Sequence, residues 1–98
     1  MRYYLLQYDK VAGYEERQRG LQAEHLAYVQ AAAESGELLL GGSLADPIDG
    51  SAMLLFRADS AKRVEDFAAQ DPYVTGGIVS HWHVRYWDVC LGAAVITE

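Results

Sequence analysis

The chain has little cysteine, few basic residues and no long apolar run, and each shortage excludes a class of protein. Cys90 is the only cysteine, so neither an internal disulfide nor a zinc site made of several cysteines can form. A single thiol suits a reducing compartment, and we expect a cytoplasmic protein. The 8 Lys and Arg residues stand against 14 Asp and Glu, and the formal net charge is −6. The basic residues are scattered, whereas a phosphate-binding surface needs them clustered, so we expect no nucleic-acid partner.

Apolar residues occur only in short groups, far below the ~20 in a row that span a bilayer. The first segment, MRYYLLQYDK, has no small-residue cleavage site after a hydrophobic run. We therefore expect no membrane contact and no secretion. With 51% hydrophobic and 22% charged residues, the composition is that of a globular domain. A chain of 98 residues has room for one core, so we expect a single domain over residues 1–98.

The first half of the chain predicts a strand, a helix and a second strand. The segment RYYLLQYD at residues 2–9 is rich in Tyr and Leu and bounded by polar residues, which favours a strand. From Glu15 to Ser35, strong helix formers and an apolar stripe at spacings of three and four residues predict one helix. Gly36 is suited to cap that helix. The segment ELLLGGSL then predicts a strand that runs to Leu44.

The second half repeats this order with different residues. After the loop ADPIDG, the segment SAMLLFRA predicts a third strand, and Ser60 is a good N-cap for a helix that ends near Gln70. The segment TGG predicts a turn, and the last strand begins near Val79 and runs through SHWHVRYWDVCL, which leaves a tail from Gly92. The order βαββαβ predicts an α+β, ferredoxin-like fold, in which two helices cover one face of a four-stranded antiparallel sheet.

Both faces of the predicted sheet carry apolar or aromatic residues. In HWHVRYW, one side carries Trp82, Val84 and Tyr86, and the other carries His81, His83, Arg85 and Trp87. A second large apolar face on a small domain is typical of an interface. We therefore expect a homodimer whose sheets pack together.

His25 and Asp71 are the candidate catalytic residues. His25 lies within the stripe of the first helix, where it could equally be a core histidine with one hydrogen bond. In this fold the two helices lie side by side, so the middle of the first can approach Asp71 at the end of the second. A carboxylate against one imidazole nitrogen sets the tautomer and raises the basicity of the other nitrogen, as a general base requires.

Asp71 also has a local explanation. In DPYV it can cap a short turn with Pro72 at the first position. The two interpretations are compatible, because the residue before a proline is held in an extended conformation and its side chain is thereby positioned.

Two segments of the chain resemble the YCII-related protein family: RGLQAEHLAYVQAAAESGELLLGGSL and SAKRVEDFAAQDPYVTGGIV. The shared features are a helix that carries His followed by Leu and Tyr, a strand that ends in Gly-Gly, and a helix that runs into Asp-Pro-Tyr. The Asp-Pro-Tyr together with the His is the specific part. The similarity covers about residues 2 to 87.

The resemblance implies a dimeric α+β barrel with a catalytic pair at His25 and Asp71. Some relatives are linked to dehydrochlorination of hydroxylated aromatic compounds, and the wider superfamily includes muconolactone isomerases. This chain departs from the usual pattern at two positions. Gln22 stands where Arg is often found three residues before the His, which leaves Arg19 or Arg17 as substitutes, and Ser43 stands where Pro is frequent after the Gly pair.

A rival site is possible at His81 and His83, which share one face of a strand and could chelate a divalent metal. Cys90 has the opposite parity and cannot simply join them, and two histidines alone make a poor metal site. Gly41 and Gly42 are followed by no phosphate-loop residues, so a turn explains them more simply. We expect neither a metal nor another cofactor.

Two classes of function stay open on these residues. In the first, the protein is a small lyase or isomerase that moves a proton on a planar hydroxylated or lactone-like substrate. The candidate substrate-binding residues are then Tyr28, Ser43, Tyr73 and Arg19, with Trp82 as a further pocket wall. In the second, the same cleft binds a small ligand, or serves an attached enzyme, without turnover.

Overall fold

The fold is a four-stranded antiparallel sheet with its helices on one face, as the computed structural model of residues 1–93 and 95 shows. The strands are β1 (Arg2–Lys10), β2 (Leu38–Ser43), β3 (Ala52–Ala58) and β4 (Val79–Trp87). The helices are α1 (Tyr14–Arg19), α2 (Gln22–Glu34), α3 (Ala61–Gln70) and α4 (Pro72–Thr75). None of these helices has the length and apolar character needed to cross a membrane. Part of the predicted tail and the end of the predicted domain, residues 94 and 96–98, lie outside the described residues.

The strand order β2-β3-β1-β4 confirms the predicted ferredoxin-like arrangement. The central strand β1 pairs antiparallel with both neighbours, and Leu6 lies opposite Leu54 of β3 and Val84 of β4. Alternation along β1 buries Tyr4, Leu6 and Tyr8 on the face that the helices cover. The hydrophobic core therefore lies between this sheet face and α3, which contributes Val64, Phe67 and Ala68.

The capping residues predicted from sequence act as expected. The Ser60 side chain accepts a hydrogen bond from the backbone N–H of Arg63 at the start of α3. Gly36 follows the end of α2 with φ of +86°, a left-handed conformation that glycine adopts without a steric penalty. The last strand ends at Trp87, earlier than the predicted Leu91.

The single long helix predicted over residues 15–35 is wrong, because the chain breaks it at Gly20 and Leu21. Gly20 ends α1, and Leu21 has φ of −116° before α2 begins. Glycine destabilises a helix interior by about 1 kcal/mol relative to alanine, so a break there is inexpensive. The apolar stripe crosses the break, which is why periodicity alone did not reveal it.

The break allows Leu21 to pack closely against the end of α4. A methyl group added at Gly76 would lie 2.3 Å from Leu21 Cδ1 and 2.7 Å from the carbonyl oxygen of Pro72. Only a residue without a side chain leaves room for that contact. The start of α2 is therefore held at a defined distance from α4.

The two long helices are packed to different depths. α3 buries three residues in the core, whereas α2 contains no buried residue. A groove of about 560 Å³ lies between α2 and the β2–β3 side of the sheet. α2 thus forms one wall of the groove.

The sheet face that points away from the helices remains uncovered within residues 1–93 and 95. The register places Tyr3 opposite Trp87, Leu5 opposite Leu55, and Met53 on the same face. These side chains are only partly buried in the single chain, or exposed in the case of Trp87. An apolar face of this kind is suited to association with a second copy.

Replacing Gly76 should destabilise the protein through the contact with Leu21. We expect Gly76→Ala to lower the free energy of unfolding by about 1–3 kcal/mol, because the new methyl group must displace backbone atoms of α4. Gly20→Ala is the matched control: its φ is −74° and no atom lies within 4 Å of the added methyl group, so stability should hold or rise by up to about 1 kcal/mol. Urea unfolding measures both, and equal midpoints for the two variants would contradict the contact.

The uncovered face leads us to expect a homodimer. Sedimentation equilibrium at micromolar concentration should give about twice the chain mass of 10.9 kDa. Leu55→Lys places a charge on the uncovered face and should shift the protein towards the monomer. Leu26→Lys, on α2 and already 55% exposed, should leave the mass unchanged. A monomer at every concentration would refute the sheet-to-sheet association.

Candidate active site

Asp71 lies between two helices and is fully buried. It is the last residue before α4, with an extended backbone at φ −63° and ψ 130°. Pro72 occupies the first turn of α4, and Asp71 Oδ1 accepts a 2.9 Å hydrogen bond from the backbone N–H of Tyr73. The aspartate therefore caps the short helix, as its position before Pro72 predicts.

Two side chains from distant parts of the sequence also bind this carboxylate. Tyr8 in β1 donates its hydroxyl to Asp71 Oδ2 at 2.7 Å. His25 Nδ1 in α2 lies 2.7 Å from Asp71 Oδ1. Both oxygens of the buried carboxylate thus have hydrogen-bond partners, which a charge without access to water requires.

The carboxylate determines which nitrogen of His25 faces outward. Oδ1 accepts from the Tyr73 N–H, and a carboxylate has only acceptor sites, so His25 Nδ1 is the donor in the neutral ring. Nε2 then carries the lone pair. Every buried side-chain nitrogen and oxygen of the described residues has a hydrogen-bond partner. Nε2 has no such partner among the described residues, so it is not buried, and it faces the groove that His25 lines.

The ring of Tyr73 stacks on the imidazole of His25, while its backbone N–H binds the Asp71 oxygen that also contacts His25. The two rings are stacked, with centroids 3.7 Å apart and planes within 5° of parallel. Since Tyr73 lies two residues after Asp71, which binds Nδ1, one short segment fixes both the position and the tilt of His25. The side chain of His25 is only 16% exposed, and it lines the groove.

Burial and the Asp71 charge keep the neighbouring tyrosines protonated. The pKa of Tyr8 is raised far above its ordinary value, mainly by burial and further by the negative charge and hydrogen bond of Asp71. The pKa of Tyr73 is raised by burial first and by the negative charge of Asp71 second. Tyr8 therefore remains a hydrogen-bond donor to Asp71 at any working pH.

The groove beside His25 is mainly apolar, with polar groups at a few positions. Its apolar walls include Leu26, Val29, Leu40, Leu44, Ile48 and Leu54. Of the residues predicted from sequence, Ser43 and Tyr73 line it, and so does Gln22. Such a mixture is suited to a small planar molecule held by a few polar contacts.

Two predicted substrate-binding residues lie elsewhere. Tyr28 stacks on Phe67 and donates its hydroxyl to the Phe67 carbonyl at 2.8 Å, so it faces a separate concavity beside α3. Arg19 is exposed and pairs with Glu16 at 3.3 Å. Tyr28 shares the stripe of α2 with His25, but its hydrogen bond to the Phe67 carbonyl of α3 turns it away from the groove. Trp82 packs against the core and does not line the groove.

The rival pair His81 and His83 lies on the uncovered sheet face. Their ring centroids are 5.8 Å apart. Residues 1–93 and 95 contain no group of three or more His, Cys, Asp or Glu residues placed to hold a metal ion. The only free thiol, Cys90, is exposed beyond the end of β4.

Two residues of the site were not predicted from the sequence. Tyr8 donates to Asp71, and Lys10 lines the groove two positions later on the same strand. The alternation of β1 assigns both to the helix-covered face, which is the pattern that could have identified them. That pattern does not say which helix residue each side chain meets.

Solved structures of several proteins resemble this fold. The 5-chloro-2-hydroxyhydroquinone dehydrochlorinase TftG from Burkholderia phenoliruptrix, in complex with 2,5-dihydroxybenzoquinone, matches with a TM-score of 0.74 and 22% identity over 88% of this chain and 93% of that one. Protein Atu4242 from Agrobacterium tumefaciens matches with a TM-score of 0.58 and 12% identity, covering 98% of this chain and 100% of the other. A NIPSNAP domain protein from Burkholderia xenovorans has a TM-score of 0.54 and 16% identity, with both chains fully covered.

No curated protein sequence matches the chain. The structural likenesses, all under 25% identical, establish the fold alone. A family model supplies the further assignment: that of the YCII-related domain matches residues 1–88, nearly the whole of the described chain. This protein belongs to the YCII-related family.

Proposed function

We propose that the protein is a small lyase- or isomerase-type enzyme that moves a proton on a planar, hydroxylated or lactone-like substrate. His25 is the general acid/base, and Asp71 orients it. The observation that carries this proposal is the 2.7 Å contact between His25 Nδ1 and the fully buried Asp71 carboxylate, with Nε2 open to the groove.

The chemistry follows from the electrostatics of the pair. When Nε2 takes a proton, the imidazolium lies against a negative charge that water does not screen, and that charge stabilises it. The three donors around Asp71 hold the carboxylate in place before and after the transfer. Little reorganisation is therefore needed during the reaction.

The surroundings of His25 favour a flat substrate. Tyr73 covers one face of the imidazole, so a substrate approaches Nε2 from the groove. We assign the hydrogen bonds with ring substituents to Ser43 and Gln22, and the contacts with the ring faces to the apolar walls, because all of these residues line the groove. The fold is shared with a dehydrochlorinase whose structure contains 2,5-dihydroxybenzoquinone, which makes chlorinated hydroxyhydroquinones a reasonable first substrate class.

A non-catalytic role is the second candidate. The largely apolar lining of the groove would hold a small ligand without any proton transfer. Binding without turnover requires the groove but not the charge of Asp71, so the two candidates respond differently to substitutions in the dyad.

The test is chloride release from 5-chloro-2-hydroxyhydroquinone under nitrogen, followed by ion chromatography. We expect wild-type protein to release chloride and His25→Gln to lose activity about 100-fold or more, which is the usual contribution of a general acid/base. Asp71→Asn keeps the cap and the shape but removes the charge, and we expect a loss of about tenfold or more. His81→Gln, a matched histidine substitution on the other sheet face, should have full activity.

The outcomes separate the two candidates. Equal rates in wild type and His25→Gln would remove the dyad from the mechanism. No chloride release by wild type, combined with tight binding of 2,5-dihydroxybenzoquinone, would favour the ligand-binding role. Circular dichroism of each variant checks that the fold is retained.

A further inference from the structure

Lys10 brings an ammonium group into the groove. Among the residues that line the groove beside His25, it is the only lysine or arginine. It ends β1, on the same strand face as Tyr8, which binds Asp71. A positive charge thus lies in the same cavity as the open Nε2 of His25.

Two aromatic rings and a glutamine hold the Lys10 ammonium group. Nζ lies 5.1 Å from the ring centroid of Tyr14 and 5.5 Å from that of Tyr73, both within the range of cation–π attraction. Nζ also lies 3.5 Å from Gln18 Oε1, at the limit of a hydrogen bond. Lys10 forms no ion pair within residues 1–93 and 95, so its charge is available to a ligand.

The β2–β3 loop fixes this arrangement from the other side. A methyl group added at Gly50 would lie 2.9 Å from the Tyr14 ring and 3.2 Å from Lys10 Cβ. The backbone of the loop therefore packs directly on both side chains. Lys10 is positioned by its surroundings, unlike a lysine that extends into solvent.

Partial burial makes an anion a favourable partner for this group. Burial lowers the pKa of Lys10, and the negative charge of Asp71 opposes that effect. An ammonium that has lost part of its hydration gains more from a charged acceptor than an exposed one does.

We propose that Lys10 binds an ionised oxygen of the ring that His25 acts on, so that the substrates are monocyclic ring anions such as phenolates and enolates. This inference rests on the proposed function, because it places the ring beside Nε2. Tyr73 joins the two groups: the ammonium lies no farther from the His25 centroid than the sum of the 3.7 Å and 5.5 Å distances to the Tyr73 centroid. A substituted six-membered ring is large enough to contact both groups at a separation up to that limit.

Neither arginine suggested by sequence competes for this role. Arg17 Nη2 donates to the Gly76 carbonyl at 3.3 Å, and Arg19 pairs with Glu16. Gln22 lines the groove but carries no charge. Lys10 reaches the groove from a different element and supplies the cation.

The experiment compares two rings of the same size in NMR titrations of ¹⁵N-labelled protein. The probes are 2,5-dihydroxybenzoquinone, whose acidic enolic hydroxyls are ionised at neutral pH, and hydroquinone, whose phenolic hydroxyls remain protonated as a tyrosine does. We expect Lys10→Met to lower the affinity for the quinone anion about tenfold or more and to change the affinity for hydroquinone by no more than about twofold. Lys10→Arg keeps the charge and should retain most of the affinity. Lys62→Met removes the same charge from an exposed position on α3 and should change the affinity for neither ring.

Equal weakening of both rings by Lys10→Met would overturn the inference, since a packing role does not distinguish charge. Unchanged binding of the quinone, or no binding to the wild-type protein at millimolar concentration, would overturn it as well. These binding titrations do not depend on whether His25 and Asp71 catalyse a reaction. Charge-dependent binding without turnover would refute only the enzyme, whereas turnover that needs His25 but not Lys10 would refute only this site.

Discussion

Asp71 places a carboxylate where water does not reach, and such a charge is tolerated only when donors surround it. The donors come from three elements that are far apart in sequence: Tyr8 from β1, His25 from α2 and the backbone of Tyr73 from α4. The Tyr73 N–H lies in the first turn of α4, where a backbone donor has no partner within the helix. The buried carboxylate therefore joins the sheet to both helical segments at one point, and the same point is where the chemistry is proposed.

This dual use explains why an acidic residue stands at the end of a helix. Negative charge at the end of α3 opposes the helix dipole by roughly 0.3–1 kcal/mol, but the same residue lies at the N-terminus of α4, where the sign is favourable. A local capping role and a long-range role with His25 are thus combined in one side chain. The Asp-Pro sequence makes this possible, because it ends one helix and starts the next within two residues.

Much of this could be predicted from the sequence, because periodicity and capping are local. The strand order, the caps at Ser60 and Gly36, and the meeting of His25 with Asp71 follow from patterns and from the side-by-side helices of the fold. What could not be predicted depends on contacts between distant residues. The break at Gly20 is favoured by the packing of Leu21 on Gly76, 55 positions later in the chain. Lys10 and Tyr28 show the same limit, since a strand or helix pattern assigns a face but not a partner.

The weak packing of α2 has a consequence for how this protein responds to mutation and to temperature. The helix that carries His25 has no fully buried residue and touches the core through the partly buried Tyr28, Val29 and Ala32, so separating it from the core exposes less apolar surface than separating α3 would. Its local opening therefore requires less free energy than global unfolding, and amide hydrogens of α2 can exchange while the core of α3 stays closed. Substitutions along α2 then alter the alignment of the imidazole more readily than they alter the melting temperature.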